Sequence, residues 1–253
     1  MSDCVAVSYI RKDGARLDVR KQAGKRLNMF TVTQGACSDG KYIYMAFERK
    51  KSSRHQRAVK IVKLDPRSWK VVRISGVLKI GHANDMTYRD GNLYITHSAG
   101  KRVIHCVDAV TLKKKDDIRV ISHKALFFNG IARYGKGYVL RSMIGTGMII
   151  TDGSFRAIHF FNADGGHPTS QSMEQKNEVL YRTYSVLQSE DKNFLVTFDM
   201  DGNKLKDEKV LLRGELEACF MHRGQLWFTS YRKKEIDGKL RYLAFIGKFK
   251  TEE

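Results

Sequence analysis

The chain has 253 residues, enough for one large domain or two small ones and enough to bury a core without disulfide bonds. Its 46 Lys and Arg residues outnumber its 27 Asp and Glu residues, which gives a formal net charge of +19. This excess favours anionic partners such as small molecules, nucleic acids or acidic surfaces, with plain solubility as the alternative reading.

Short apolar strands separated by Asp-Gly and Gly-Lys turns run along the whole chain and predict an all-β fold. A strand at residues 5–10 comes first, and strands such as 41–47, 92–96 and 227–229 follow it. No segment keeps a helical period over ten residues or more.

Five segments of the chain align in one frame, in which a polar residue precedes a short apolar strand, a turn and a second, aromatic-rich strand. The segments begin near residues 33, 83, 128, 170 and 216. Their leading polar residues are 42 to 50 positions apart, which is the period of a four-stranded propeller blade. Third and fourth strands are predicted at 58–65 and 70–74 in the first unit and at 103–108 and 111–113 in the second.

The repeat predicts a single five-bladed β-propeller that covers residues 1–253. The strand within residues 1–12 is expected to complete the last blade and to close the ring, which removes exposed sheet edges. A two-sheet sandwich is the alternative, although it does not require a regular period.

The propeller frame places the leading polar residues at one end of a central channel, because the first strands of all blades line the axis. This predicted ring consists of Gln34, Asn84, Asn129, Gln171 and Glu217. The second strands end on the same face and bring Glu48, His97, Arg141, Tyr184 and Tyr231 close to the ring. Loops that enter the first strands add His82 and His167. Buried polar groups need hydrogen-bond partners, so polar residues in register indicate a shared ligand. A channel plugged by hydrogen-bonded amides is the alternative.

Roles follow from the side-chain chemistry. Glu217, Glu48 and His97 are the candidate acid–base groups, and the other predicted site residues would bind substrate. Arg141 suits a carboxylate or phosphate, or else a salt bridge to one of the glutamates. Asp85 is expected to point away from the axis. We expect no cofactor, with calcium at the ring as the alternative, because one carboxylate among amides gives a metal site little charge.

Clusters of basic residues fall in the predicted links between second and third strands of blades one, two and five, and would form a crescent beside the channel mouth. The crescent consists of Arg49, Lys50, Lys51, Arg54, Arg57, Lys101, Arg102, Arg232, Lys233 and Lys234.

Two features bear on where the protein works. The N-terminal apolar run ends at Arg11, too short for a signal peptide, and no segment approaches the ~18–20 apolar residues of a membrane span. Cys37 and Cys219 lie in apolar strands, where a buried free thiol is expected. We therefore expect a cytoplasmic protein without a membrane partner.

Three stretches resemble known propeller families. The segment FTVTQGACSDGKYIYMAFERK, from Phe30, resembles the opening blade of glutaminyl cyclotransferases. The segments HANDMTYRDGNLYITHS and FFNGIARYGKGYVLRS, from His82 and Phe127, are similar to blade starts of the gluconolactonase and regucalcin family, and virginiamycin B lyase has a similar general shape.

The lactonase family binds a divalent metal through one Glu, two Asn and one Asp. Asn84 and Asn129 match its two Asn ligands, but Gln34 replaces the Glu, and no Asp stands at positions 171 or 217. The cyclotransferase resemblance implies metal-free attack of an amine on a side-chain amide, assisted by an acid or base such as Glu217 or Glu48.

The sequence thus favours a lyase- or cyclotransferase-type enzyme that acts on a small anionic or amide-bearing molecule or peptide. A non-catalytic module that sequesters an anionic metabolite or nucleotide, or that binds a partner protein, is the alternative. Nucleic-acid binding has the charge in its favour but lacks an aromatic-studded basic strand or a recognition helix.

Overall fold

The computed structural model describes residues 4–49, 57–97, 102–124, 127–186 and 192–250. Nearly all regular structure in these ranges is β-strand, which confirms the prediction of an all-β fold. No helix in the described ranges is long and apolar enough to cross a membrane. The N-terminal elements are β1 (Cys4–Tyr9), β2 (Arg11–Lys12), β3 (Ala15–Arg16), the one-turn helix α1 (Val19–Ala23) and a 3-10 turn (Gly24–Arg26).

The next three stretches of chain each fold into a four-stranded antiparallel sheet whose strands pair in chain order. The first sheet contains β4 (Phe30–Ser38), β5 (Ile43–Arg49), β6 (Val59–Asp65) and β7 (Lys70–Ile74). The second contains β8 (Met86–Arg89), β9 (Asn92–Thr96), β10 (Val103–Asp108) and β11 (Lys114–Arg119). The third contains β12 (Phe128–Tyr134), β13 (Gly137–Ser142), β14 (Gly147–Thr151) and β15 (Ala157–Asn162).

The other strands form an eight-stranded sheet in the order β16-β17-β18-β19-β1-β22-β21-β20. It has two four-stranded halves, the fourth and fifth sets, joined where β1 runs parallel to the end of β19. On its other side β1 pairs antiparallel with β22, with Val7 opposite Phe249. The fourth set contains β16 (Ser170–Lys176), β17 (Val179–Ser185), β18 (Asn193–Phe198) and β19 (Lys204–Val210). The fifth adds β20 (Glu215–His222), β21 (Gln225–Ile236) and β22 (Lys239–Lys250) to β1.

Several predicted boundaries differ from the structure, such as the strand expected at 41–47, which is Ile43–Arg49. The strand expected at 111–113 begins at Lys114, because the Asp108 carboxylate accepts hydrogen bonds from the amides of Val110 and Thr111 and holds this stretch in a turn. Residues 232–234, expected in a loop, continue β21 and pair with residues 241–243 of β22.

The first strands of the five sets contact one another in a closed order, β4 to β8, β8 to β12, β12 to β16, β16 to β20 and β20 back to β4. Residues at the start of these strands therefore converge on a common axis.

Hydrophobic cores lie between neighbouring sets, because alternate side chains of a strand point to opposite faces of its sheet. In β5, Ile43, Met45 and Phe47 pack toward the fifth set, whereas Tyr44 and Ala46 pack toward the second sheet. Equivalent clusters fill the spaces between the second and third, third and fourth, and fourth and fifth sets. Both faces of most strands are thus buried, which explains continuous apolar runs such as residues 43–47.

Candidate functional site

Strand pairing is irregular at the start of four of the five first strands, where residues of the predicted polar ring stand. The register of pairing with the second strand shifts at Gln34, Asn129, Gln171 and Glu217. None of these four residues therefore has a paired residue on the second strand. A bulge of this kind redirects a side chain without ending the strand. Asn84 lies two residues before β8 begins. Sequence reasoning did not predict the bulges, whose visible signal is the Gly that follows Gln34 and Asn129.

The ring residues are at most 9% exposed, and their amides link several sheets. The side-chain nitrogen of Asn84 donates to the backbone carbonyls of Asn129, at 3.1 Å, and Gln171, at 2.8 Å. Gln171 in turn donates to the carboxylate of Glu215, at 3.2 Å. The side-chain oxygen of Asn129 is buried and has no hydrogen-bond donor among the described residues. Some ring amides are therefore hydrogen-bonded to one another's strands, as in a plug, whereas the side-chain oxygen of Asn129 lacks a donor in the described ranges.

Asp85 occupies the centre of the molecule, contrary to the expectation that it points away from the axis. Its fully buried carboxylate accepts hydrogen bonds from the backbone amides of Met86, Ile131 and Met173 and from the hydroxyl of Ser172, at 2.7–3.1 Å. These donors belong to three different sheets, so Asp85 ties them together at the axis. Burial raises the pKa of Asp85 to about 8 although the donors oppose the shift.

Glu217 differs from Asp85 in having no hydrogen-bond partner among the described residues, while its exposed fraction is only 3%. Burial raises the pKa of Glu217 well above its ordinary value, and the nearby negative charges of Glu215 and Glu48 raise it further. The ring thus contains a buried carboxyl group with a raised pKa and with no hydrogen-bond donor in the described ranges.

Glu48, predicted as a catalytic group, is bound between Arg57 and His82. Its carboxylate lies 2.8 Å from Nδ1 of His82 and 3.3 Å from Nε of Arg57. His82 thereby connects the second sheet to the end of β5, and the two predicted site residues meet each other rather than an open ligand space.

His97 belongs to a chain of polar groups within the second sheet. Nδ1 of His97 lies 3.2 Å from Nε2 of the buried His105, whose Nδ1 contacts the carboxylate of Asp117. Burial lowers the pKa of His105 to about 4 despite Asp117, so this imidazole is neutral at physiological pH. If Asp117 accepts the Nδ1 proton of His105, then Nε2 of His105 is the acceptor in the second contact and Nδ1 of His97 is the donor. Sequence reasoning found His97 but missed His105 and Asp117.

Arg141 and Tyr184 lie together between the third and fourth sets, both at least 95% buried. They share this region with Arg182, a buried arginine that sequence reasoning missed because it stands in the middle of a strand.

The other two predicted residues are held by neighbours. His167 contacts Asp207 of β19 at 2.8 Å and stacks on Phe194, so it faces the outer strand of its sheet rather than the axis. Tyr231 lies beside Glu215, whose charge adds to burial in raising the pKa of the tyrosine.

The predicted basic crescent is only partly testable, because Lys50, Lys51, Arg54 and Lys101 lie outside the described residues. Arg49, Arg102, Lys233 and Lys234 are exposed, and Arg57 is engaged with Glu48. Within the described ranges, no group of three or more His, Cys, Asp or Glu residues is arranged to hold a metal ion.

No protein-family model and no curated protein matches the chain. Among solved structures, the chain is similar to the glutaminyl cyclase of Myxococcus xanthus, with a TM-score of 0.58, 12% identity and coverage of 98% of this chain and 99% of that one. It is also similar to a GH43 β-xylosidase/α-arabinofuranosidase from a compost microbial metagenome, with a TM-score of 0.57, 12% identity and coverage of 98% and 96%. The tail fibre of Staphylococcus aureus phage P68 matches with a TM-score of 0.57, 13% identity and coverage of 87% and 50%. At these identities the similarity concerns the fold alone, and the chain has a propeller-like fold made of four-stranded sheets.

Proposed function

We propose that this chain is a five-bladed β-propeller enzyme of lyase or cyclotransferase type, acting on a small anionic or amide-bearing molecule at the mouth of its axis. The proposed blades start near residues 33, 83, 128, 170 and 216, and β1 completes the fifth blade. The closed order of the first strands, the pairing of β1 with β22 and the full-length likeness to a glutaminyl cyclase support this architecture.

The observation that carries the function is the buried carboxyl group of Glu217, which has a raised pKa and no hydrogen-bond partner among the described residues. A general acid needs a carboxyl group that still holds its proton near the working pH, and burial beside other acids produces such a group. A group that no donor or cation occupies is also free to meet a substrate. Among the predicted acid–base residues Glu48 does not have this freedom, because Arg57 and His82 hold it.

In a cyclotransfer the substrate's neutral amine attacks its own side-chain amide carbon, a C–N bond forms, and the bond to the amide nitrogen breaks. Glu217 would donate its proton to the departing nitrogen, which leaves as ammonia, and would recover a proton from the attacking amine. The ring amides of Gln34 and Asn129 would orient the substrate amide.

The test is turnover of glutamine-bearing peptides and of a cell metabolite extract, followed by mass spectrometry, with wild type, Glu217→Gln and the exposed control Glu235→Gln. We expect wild type and the control to convert one compound and Glu217→Gln to lose about 100-fold or more in rate, the usual contribution of a general acid. The rate should fall as pH rises through the pKa of Glu217, which then loses its proton, and it should also fall at low pH, where the attacking amine is protonated. A Glu217→Gln variant that keeps the wild-type rate on a confirmed substrate would place the chemistry elsewhere.

The second candidate is a non-catalytic module that sequesters an anionic small molecule. The engagement of Glu48, His82 and His97 by neighbouring side chains favours it, since most of the predicted acid–base groups then serve structure. Recovery of a bound compound unchanged, at one per chain, would establish this candidate instead.

A further inference from the structure

Two buried arginines converge between the third and fourth sheets. Arg141 extends from β13 and is 5% exposed, and Arg182 extends from β17 and is 3% exposed. Both reach the first residue of β16, where Arg141 donates to the carbonyl of Ser170 at 3.1 Å and Arg182 to its hydroxyl at 3.4 Å. Two like charges are therefore held close together in the interior.

Neither guanidinium has an anionic partner in the described part of the chain. No carboxylate there lies within ion-pair distance of either, and the remaining acceptor of Arg182 is a neutral carbonyl, that of Ala163. The Nε of Arg182 is buried and has no acceptor among the residues that the structure describes. Asp85 and Asp164 act on the pair only through space, and the Asp85 carboxylate is occupied by four donors. Burial lowers the pKa of both arginines, and in Arg141 the charge of Arg182 lowers it further.

A pair of buried cations without an anionic partner is costly, and the rings of Tyr184 and Phe198, centred 5.0 and 5.4 Å from the Arg182 guanidinium, offset this cost only in part. Each guanidinium offers five N–H donors in a rigid fork, the geometry that matches the oxygens of a carboxylate or phosphate. The pair also adjoins the ring, since Arg141 is the β13 residue opposite Gly130, directly after the bulged Asn129. Gly130 makes room for this arginine, because a Cβ at that position would lie 2.9 Å from the Arg141 Cβ.

We propose that Arg141 and Arg182 form an oxyanion subsite beside the polar ring, which binds the carboxylate or phosphate group of a small molecule. This subsite would anchor the substrate of the proposed function, and only its assignment to a substrate rests on that function. Binding of the anion itself requires no turnover.

The experiment measures the melting temperature during titration with inorganic phosphate, succinate or glutarate at constant ionic strength. The proteins are wild type, Arg141→Met, Arg182→Met and the control Arg241→Gln, which removes one exposed charge from the β21–β22 hairpin. We expect a saturable rise in wild type and in the control, and an approximately tenfold or larger increase in the half-saturating concentration in both Met variants. The anion that saturates at the lowest concentration identifies the group as phosphate or carboxylate.

Phosphate stabilises many proteins non-specifically, but that effect does not saturate and would be the same in all four proteins. Equal curves in all four would therefore overturn the proposal. If a Met variant does not fold, Arg141→Lys and Arg182→Lys keep the charge without the fork and should show an intermediate weakening. A Glu217→Gln variant should keep the wild-type titration, so loss of catalysis and loss of the anion subsite are separate outcomes.

Discussion

Two buried carboxyl groups near the axis show how the same burial leads to different roles. Asp85 accepts four hydrogen bonds from three sheets, and Glu217 accepts none from the described residues. The pKa of both groups is raised by burial. Only Glu217 can exchange its proton with a ligand without breaking the hydrogen bonds that hold the sheets together. Residues 84 and 85 are adjacent in the chain, yet Asp85 lies deeper than the ring.

Asp85 should make stability depend on pH in a direction opposite to that of an ordinary salt-bridged aspartate. Its pKa is raised from 3.8 to about 8, so the folded state holds the proton more tightly than the unfolded state. The contribution of Asp85 is therefore complete below pH ~4 and is lost as pH rises through ~8. Each bound proton changes the free energy of unfolding by up to about 1.4 kcal/mol per pH unit.

Urea denaturation of wild type and Asp85→Asn between pH 4 and 8 measures this effect, because the difference between the two proteins cancels the other groups. The advantage of wild type over the variant should shrink steadily as pH rises. Asp90→Asn is the control, because it removes a carboxylate from an exposed turn residue with a positive φ that Asn tolerates. A wild-type advantage that grows with pH would contradict the shift.

At the scale of the element, the bulge in β4 depends on a glycine. The amide of Gly35 donates to the carbonyl of Ala83 at 3.0 Å, and a Cβ at position 35 would lie 2.7 Å from the Asp85 Cα. The first strands of the first and second sheets thus approach through bare backbone. Any larger residue must push them apart at the level of the ring.

Gly35→Ala should lower the free energy of unfolding by about 1–3 kcal/mol, the usual cost of overpacking a close contact. Gly76→Ala is the matched control, because position 76 is exposed and a Cβ there would meet no atom within 4 Å. Its effect should stay within about 0.5 kcal/mol in the same chemical denaturation experiment. Equal effects of the two substitutions would mean that the contact at Gly35 relaxes without cost.

The all-β fold and several of its strands could be predicted from the sequence, since alternating apolar strands and turn residues are local signals. Strands 70–74 and 103–108 have the predicted bounds. The partners of the site residues could not be predicted in the same way. Arg182, His105 and Asp117 lie inside strands, where a single sequence does not show which charged residue a neighbouring sheet will cover. Asp85 was misjudged because strand alternation fails at an irregular strand start, where the chain does not follow period two.

At the scale of the whole molecule, the first and last strands of the chain lie side by side. β1 covers the edge of β22, and its alternate residues Val5, Val7 and Tyr9 pack into the core between the fourth and fifth sets. Residues from opposite ends of the chain therefore complete one sheet. An uncovered β22 would leave an exposed edge, which is prone to pair with other chains.

The pairing of β1 predicts a strong difference between two adjacent substitutions. Val7→Asp places a charge in the core between the fourth and fifth sets and should lower the free energy of unfolding by about 3 kcal/mol or more. Ser8→Asp points to the exposed side, opposite Lys248, and should change stability by no more than about 0.5 kcal/mol. Chemical denaturation measures both, and size-exclusion chromatography should show self-association for Val7→Asp alone. If both variants remain monomeric and equally stable, the ends of the chain do not hold the molecule together.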